Sequence, residues 1–218
     1  MAAGGRRRAA FMLCLAATVS AGCTLSVDGH AVRAKGQSAR PPSARELLLA
    51  DGDETPWGPA RSAPVGDDYF TSVRPKECTA ALLFRRSPLR PSDASDYGES
   101  AYTFGDAKRY AESISVYDYE LRPYGVAWKA FGDVSDCRGD AVGSSPRGDF
   151  EPMQVTEFGS PQDDIMTWSM GRPDWTCSYG LIAETKAVLL ITACDAAPGF
   201  PMAEWAPIRK AQLSRRTA

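Results

Sequence analysis

Six cysteines constrain this 218-residue chain more than any other feature, because their positions divide them between two different jobs. Four of them, Cys78, Cys137, Cys177 and Cys194, fall in the stretch with the composition of a folded domain. The other two lie at the N-terminus, where Arg6-Arg7-Arg8 precedes an apolar run from Ala9 to Ala21 and then Ser20-Ala21-Gly22-Cys23. A cationic patch, a short apolar core and small residues before a cleavage point make a secretory signal. Cys14 sits inside the apolar run and leaves with it. Cys23 follows two small residues, as in a bacterial lipobox, with Ser20 where leucine is usual. The thiol is therefore expected to be acylated and residues 1–22 removed. An uncleaved span is a poor alternative, since about 13 apolar residues are too few for a bilayer that needs roughly 20.

Removal of residues 1–22 takes away three arginines and no acids, leaving 22 Lys and Arg against 27 Asp and Glu. Nucleic-acid binding is excluded on this ground, because it needs clustered cations to neutralise phosphates. Residues 24–44 have few bulky apolar side chains and no period, and Pro41-Pro42 cannot continue a helix. They read as a tether holding the domain roughly 25 Å from Cys23. The division expected is 1–22 signal peptide, 23–44 lipidated N-terminus and tether, and 45–218 one domain, with a location at the extracytoplasmic face of the cell membrane.

Within the domain, Arg45 to Leu49 is a short helix or strand leading into a Gly- and Pro-rich loop, Asp51 to Asp68. Tyr110 to Tyr117 alternates as a half-buried strand does. From Leu121 the period changes, and Leu121, Tyr124, Trp128, Phe131 and Val134 mark one face of a helix that places Trp128 in the core. Pro123 falls in the first turn, where its missing donor costs nothing. Ile165 to Met170 and Trp175 to Ala183 flank the turn formers Gly171-Arg172-Pro173-Asp174, and Ala187 to Ala193 has the continuous apolar character of a central strand. A last helix, Met202 to Leu213, is interrupted by Pro207, and the residues after it are expected to fray.

An exported chain with four domain cysteines is expected to form two bridges, of which three pairings are possible. If Trp175 to Ala183 and Ala187 to Ala193 form a hairpin turning at Thr185-Lys186, Cys177 and Cys194 are equidistant from the turn. Cross-strand partners at that spacing are within disulfide reach.

Catalysis has few routes. His30 is the one histidine and lies in the tether, so His-dependent triads and His-ligated zinc are excluded from the domain. The acidic groups Asp163-Asp164, Asp67-Asp68 and Asp51-Gly52-Asp53-Glu54 lack the ligand spacing of a calcium loop and read as solvated loop acids. Arg138-Gly139-Asp140 is too short a match to imply adhesion. No enzyme activity, cofactor or metal is expected. Trp168 and Trp175, beside the Gly171–Asp174 turn, either line a ligand cleft or pair across strands.

The order strand, helix, Cys137, hairpin, Trp175-Thr176-Cys177 and apolar strand into Cys194-Asp195 resembles the PknH-like extracellular sensor domain family. Leu47-Leu48-Leu49, Pro75-Lys76-Glu77-Cys78, Asp136-Cys137 and Leu189 to Cys194 carry the likeness, as does Val27 to Val32 after Cys23. The resemblance implies an α/β domain of α+β type: a twisted, mainly antiparallel sheet with helices packed on it, two disulfides and a cleft for an unidentified ligand. Pairing of Cys78 with Cys137 rests on elimination and on this resemblance. The function expected is a non-catalytic envelope lipoprotein anchored in the membrane by lipid, whose domain binds an envelope lipid, glycan or small molecule, or a protein. A carboxylate-dependent envelope hydrolase and a protein-interaction module are the alternatives.

Overall fold

A computed structural model describes residues 42–66, 69–105, 108–196 and 199–217. Cys23, His30, the tether as far as residue 41 and Asp67-Asp68 therefore lie outside the described residues; the expected end of the tether at residue 44 is corrected, because Ser43 caps the first helix and Ala44 is buried in it. After a short helix α1 (Ala44–Leu47) come three two-residue strands, β1 (Glu54–Thr55), β2 (Gly58–Pro59) and β3 (Ser62–Ala63). Next are β4 (Ser72–Arg74), a 3-10 turn at Lys76–Cys78, α2 (Thr79–Leu82), β5 (Asp96–Thr103), β6 (Arg109–Val116) and α3 (Pro123–Ser135). The chain finishes with β7 (Val142–Ser145), β8 (Gly148–Asp149), β9 (Gln154–Gln162), β10 (Ile165–Arg172), β11 (Trp175–Glu184), β12 (Ala187–Asp195) and α4 (Met202–Thr217).

Among the described residues the main sheet has seven strands in the order β3-β5-β6-β12-β11-β10-β9, all antiparallel. β12 is central, as its apolar run predicts. The turn at Thr185-Lys186 sets the register Glu184↔Ala187, which brings Cys177 opposite Cys194, and the two are bonded. Cys78 is bonded to Cys137, joining the 3-10 turn to the chain just past α3.

The sheet is covered on both faces. One core gathers Leu47, Ile114, Leu189, Ile191, Trp205 and Leu213 beneath α1 and α4. The other gathers Leu82, Val134, Trp168, Tyr179, Leu181 and Leu190 beneath α2 and α3. Both cores and both disulfides are built from residues between 44 and 213, so the domain carries its own hydrophobic interior. Double coverage corrects the expectation for β6: Tyr110 to Ser115 are all buried, and the strand is not half-exposed. A second, three-stranded sheet, β4-β7-β8, stands beside α2.

The helix expected from Leu121 to Val134 is present as α3 with Pro123 in its first turn, but its buried face is not the aromatic one. Ala127, Ala130 and Val134 face the core, because small side chains let the helix lie close to the sheet. Tyr124, Trp128 and Phe131 are 60%, 64% and 40% exposed, and their rings follow one another along the helix at 6.3 and 5.7 Å. Trp128→Ala is accordingly expected to change stability by no more than about 0.5 kcal/mol, as for an ordinary surface site. A thermal melt checks this, and a fall of ten degrees would restore Trp128 to the core.

α4 also departs from expectation. It runs through Pro207 to Thr217 because Met202, Trp205, Ala206, Arg209 and Leu213 are buried against the sheet. That burial outweighs the cost of roughly 3 kcal/mol for an interior proline. The end does not fray: Arg216 donates to Leu48 O at 2.5 Å and to Asp53 Oδ2 at 2.7 Å.

Candidate functional site

Antiparallel register aligns one end of four neighbouring strands, so that Arg109, Cys194, Cys177 and Met170 form a row across the sheet. A cleft of about 400 Å³ opens above this row. Its floor is the Cys177–Cys194 bond with Tyr179 and Thr192, continued by Ala101 and Thr103 of β5. Tyr69 and Phe70, Leu82 at the end of α2 and Phe84 after it, and Phe150 and Met153 complete the apolar wall. Lys108, Arg109 and Arg172 lie among its lining residues at the strand ends. Glu151 is the one acid among the described residues lining it.

The wall is held by specific packing. The Phe70 ring lies over Gly143, where a Cβ would sit 2.4 Å from Phe70 Cδ1, so any side chain at Gly143 displaces the ring. Phe70 in turn meets Phe150 edge-on at 4.8 Å. Trp168 and Tyr179 are directly opposite on β10 and β11 and stack at 5.0 Å with their planes 5° apart. Trp168 Nε1 donates to Ala81 O at 2.8 Å and Tyr179 OH to Leu82 O at 3.3 Å, which fixes the end of α2 over the sheet.

The two candidate tryptophans thus have different positions. Trp168 is buried and cross-strand paired, and it holds the α2 wall without lining the cleft. Trp175 lines the cleft directly. Of the acidic groups singled out in the sequence, the described ones lie elsewhere. Asp164 pairs with Lys210 at 2.5 Å at the opposite end of β10, and Asp53 with Arg216.

Electrostatics around the cleft follow from burial. Desolvation pushes the Tyr179 hydroxyl above its ordinary pKa, and desolvation followed by the charge of Glu112 does the same for Tyr102, whose side chain faces the opposite core. Both hydroxyls stay protonated and donate to backbone carbonyls, Tyr102 to Leu49 O at 2.9 Å. Lys108 Nζ stands 3.9 Å from Asp195 Oδ2 and 5.1 Å from the Trp57 ring centre. Arg172 Nε is 3.0 Å from Asp174 Oδ1 but is not aligned for a hydrogen bond.

Sequence reasoning missed the strand-end cations and most of the wall, which comes from segments scattered between residues 63 and 194. It also missed a second constellation under α4, where Glu112 and Arg209 are fully buried and paired at 2.8 Å. Burial works against the Arg209 charge, but Glu112 outweighs it and holds the guanidinium above its ordinary pKa.

The fold is that of a solved protein. The crystal structure of the extracellular domain of PknH from Mycobacterium tuberculosis superposes with a TM-score of 0.59, covering 82% of this chain and 97% of that one at 13% identity. No family model matches the chain. Two relatives, both named lipoprotein LprH, from Mycobacterium tuberculosis and Mycobacterium bovis, are 50% identical over 199 residues, which is 88% of this chain and 87% of each relative. With half of its residues shared along nearly the full length of both proteins, the chain belongs to the LprH lipoprotein family and carries that family's sequence on the fold of the PknH extracellular domain.

Proposed function

We propose that the chain is a cell-envelope lipoprotein whose domain, from Ser43 onward, binds a ligand in the sheet-end cleft without converting it. Residues 1–22 serve as its signal peptide, and 23–42 as the acylated N-terminus and tether at the extracytoplasmic face of the membrane. The cleft carries this reading: it is concave, mainly apolar and provided with a few polar groups at one end, which is the usual make-up of a small-molecule site. The family name supports the lipid anchor, and the likeness to an extracellular domain supports the location. Non-catalytic binding is supported by the cleft's chemistry, since the Tyr179 hydroxyl is committed to a backbone carbonyl and Glu151 is the one acid among the described lining residues.

Two measurements test the two halves. Cys23→Ala in the full chain is expected to release the protein from membranes or to leave it unprocessed, because stable anchoring takes two or more acyl chains. A variant that stays membrane-bound at the mass of the native protein removes the anchor from the proposal. For the cleft, residues 24–218 should bind the neutral apolar fluorophore N-phenyl-1-naphthylamine, and Thr103→Trp, an exposed position in the lining, should abolish binding without altering the melt. No fluorescence enhancement, or enhancement unchanged by Thr103→Trp, rules the cleft out.

A further inference from the structure

We infer that the cleft takes a small amphiphilic anion, with a narrow apolar body seated on the wall and a single carboxylate or phosphate held at the strand ends. This rests on the reading of the cleft as a ligand site. The charge distribution points to it. Among the described lining residues there are three cations, Lys108, Arg109 and Arg172, against one acid, Glu151. Arg109 starts β6 and Arg172 ends β10 at the same end of the sheet, whereas the Lys108 ammonium turns to Trp57, which packs with the core under α1 and α4.

One of these cations, Arg172, is only loosely engaged by the protein. The Nε of Arg172 is itself buried and faces Asp174 off-axis, while the Asp174 side chain is 77% exposed. Ion pairs of this kind contribute little. An anion entering the cleft instead meets cations beside an apolar, partly desolvated wall, where charge-assisted hydrogen bonds are stronger.

The interior restricts the rest of the molecule. Phe70, Leu82, Phe84, Met153 and Trp175 offer apolar surface, and the Tyr179 hydroxyl already donates elsewhere. Polar recognition is thus concentrated on the cations, which selects a ligand polar at one end. A volume of about 400 Å³ lies toward the small end of ligand sites and suits one chain or ring system rather than a multiply acylated lipid.

The test uses residues 24–218 with N-phenyl-1-naphthylamine bound, displaced by dodecanoate, dodecyl phosphate, dodecanol or dodecyltrimethylammonium below their micellar concentrations. Dodecanoate or dodecyl phosphate should displace the fluorophore at about tenfold lower concentration than dodecanol or the ammonium compound, the factor expected for one charge-assisted hydrogen bond. Which of the two anions is the stronger identifies a fatty-acid-like or a phospholipid-like head. Arg172→Gln should erase the preference, read as the ratio of anion to alcohol displacement so that any change in fluorophore affinity cancels, and Arg172→Lys, which keeps the charge, should retain it. Equal displacement by all four compounds, or a preference for the ammonium compound, overturns the anionic assignment and leaves the cleft reading standing. Failure of the fluorophore itself to bind overturns both.

Discussion

Arg209→Met is expected to destabilise the domain by about 3–5 kcal/mol, the cost of leaving a buried charge without its partner. Both side chains of the pair are fully buried. Glu112 accepts from Arg209 Nε at 2.8 Å and Nη2 at 2.9 Å, and its other contacts are the Leu49 N–H at 3.2 Å and Tyr110 OH at 3.0 Å. Without the guanidinium the carboxylate keeps two neutral donors in an apolar layer, which cannot offset desolvation of a full charge. Arg209 Nη2 also donates to Leu47 O at 2.6 Å, so the variant orphans that carbonyl as well. In a domain of this size each kcal/mol lowers the melting temperature by roughly 2–4 °C. The double change Glu112→Leu, Arg209→Met should recover most of the loss, because two apolar groups leave no charge to desolvate. Urea unfolding of the singles and the double measures the coupling. A single variant that loses under about 1 kcal/mol would mean that water reaches the pair.

Replacing Cys78 and Cys137 by alanine is the second large effect, about 4 kcal/mol on chain-entropy grounds for a loop whose ends are 59 residues apart. The corresponding figure for Cys177 and Cys194, 17 residues apart, is about 3 kcal/mol. The difference in practice should be wider. Cys177 and Cys194 are already held opposite each other by the β11–β12 ladder, whereas the 3-10 turn before α2 depends on its bond to position 137. Loss of the first bridge should also loosen the α2 wall and weaken fluorophore binding in the cleft. Calorimetry of the two double-alanine proteins under identical conditions decides the order. If the hairpin bridge proves the costlier one, loop closure is not what these bonds supply.

Several of these features could be read from sequence because they are local. The β11–β12 register follows from a two-residue turn with apolar runs of matched length on either side, and it carries Cys177 to Cys194 without further assumption. The helical period of α3 is likewise visible, with Pro123 at its start. Which face of α3 is buried was not legible, because bulk is a poor guide where a helix packs closely. Ala127 and Ala130 look indifferent in sequence, while Tyr124 and Trp128 look like core. In β6, Glu112 has the appearance of a residue marking the solvent side, and its partner is 97 positions away on α4. The cleft was invisible for the same reason. Arg109 and Arg172 reach the same end of the sheet only through the pairing of four strands, and Phe70 reaches the wall only because residue 143 has no side chain.

The placement of α1 has a mechanical consequence. Any pull exerted through the chain preceding Ser43 enters the domain at α1, and α1 is fastened at several points rather than at its tip. The Ala44 N–H is held by Asp96 of β5, Leu47 O by Arg209 of α4, Leu49 N–H by Glu112 of β6 and Leu48 O by Arg216. Load is therefore shared at once among two inner strands and the last helix, and these bonds must yield together rather than one after another. Peeling of the N-terminal end, the easy route for a strand at a sheet edge, is blocked by this arrangement. A domain fastened in this way transmits tension into its centre and keeps its shape while the chain before it is stretched.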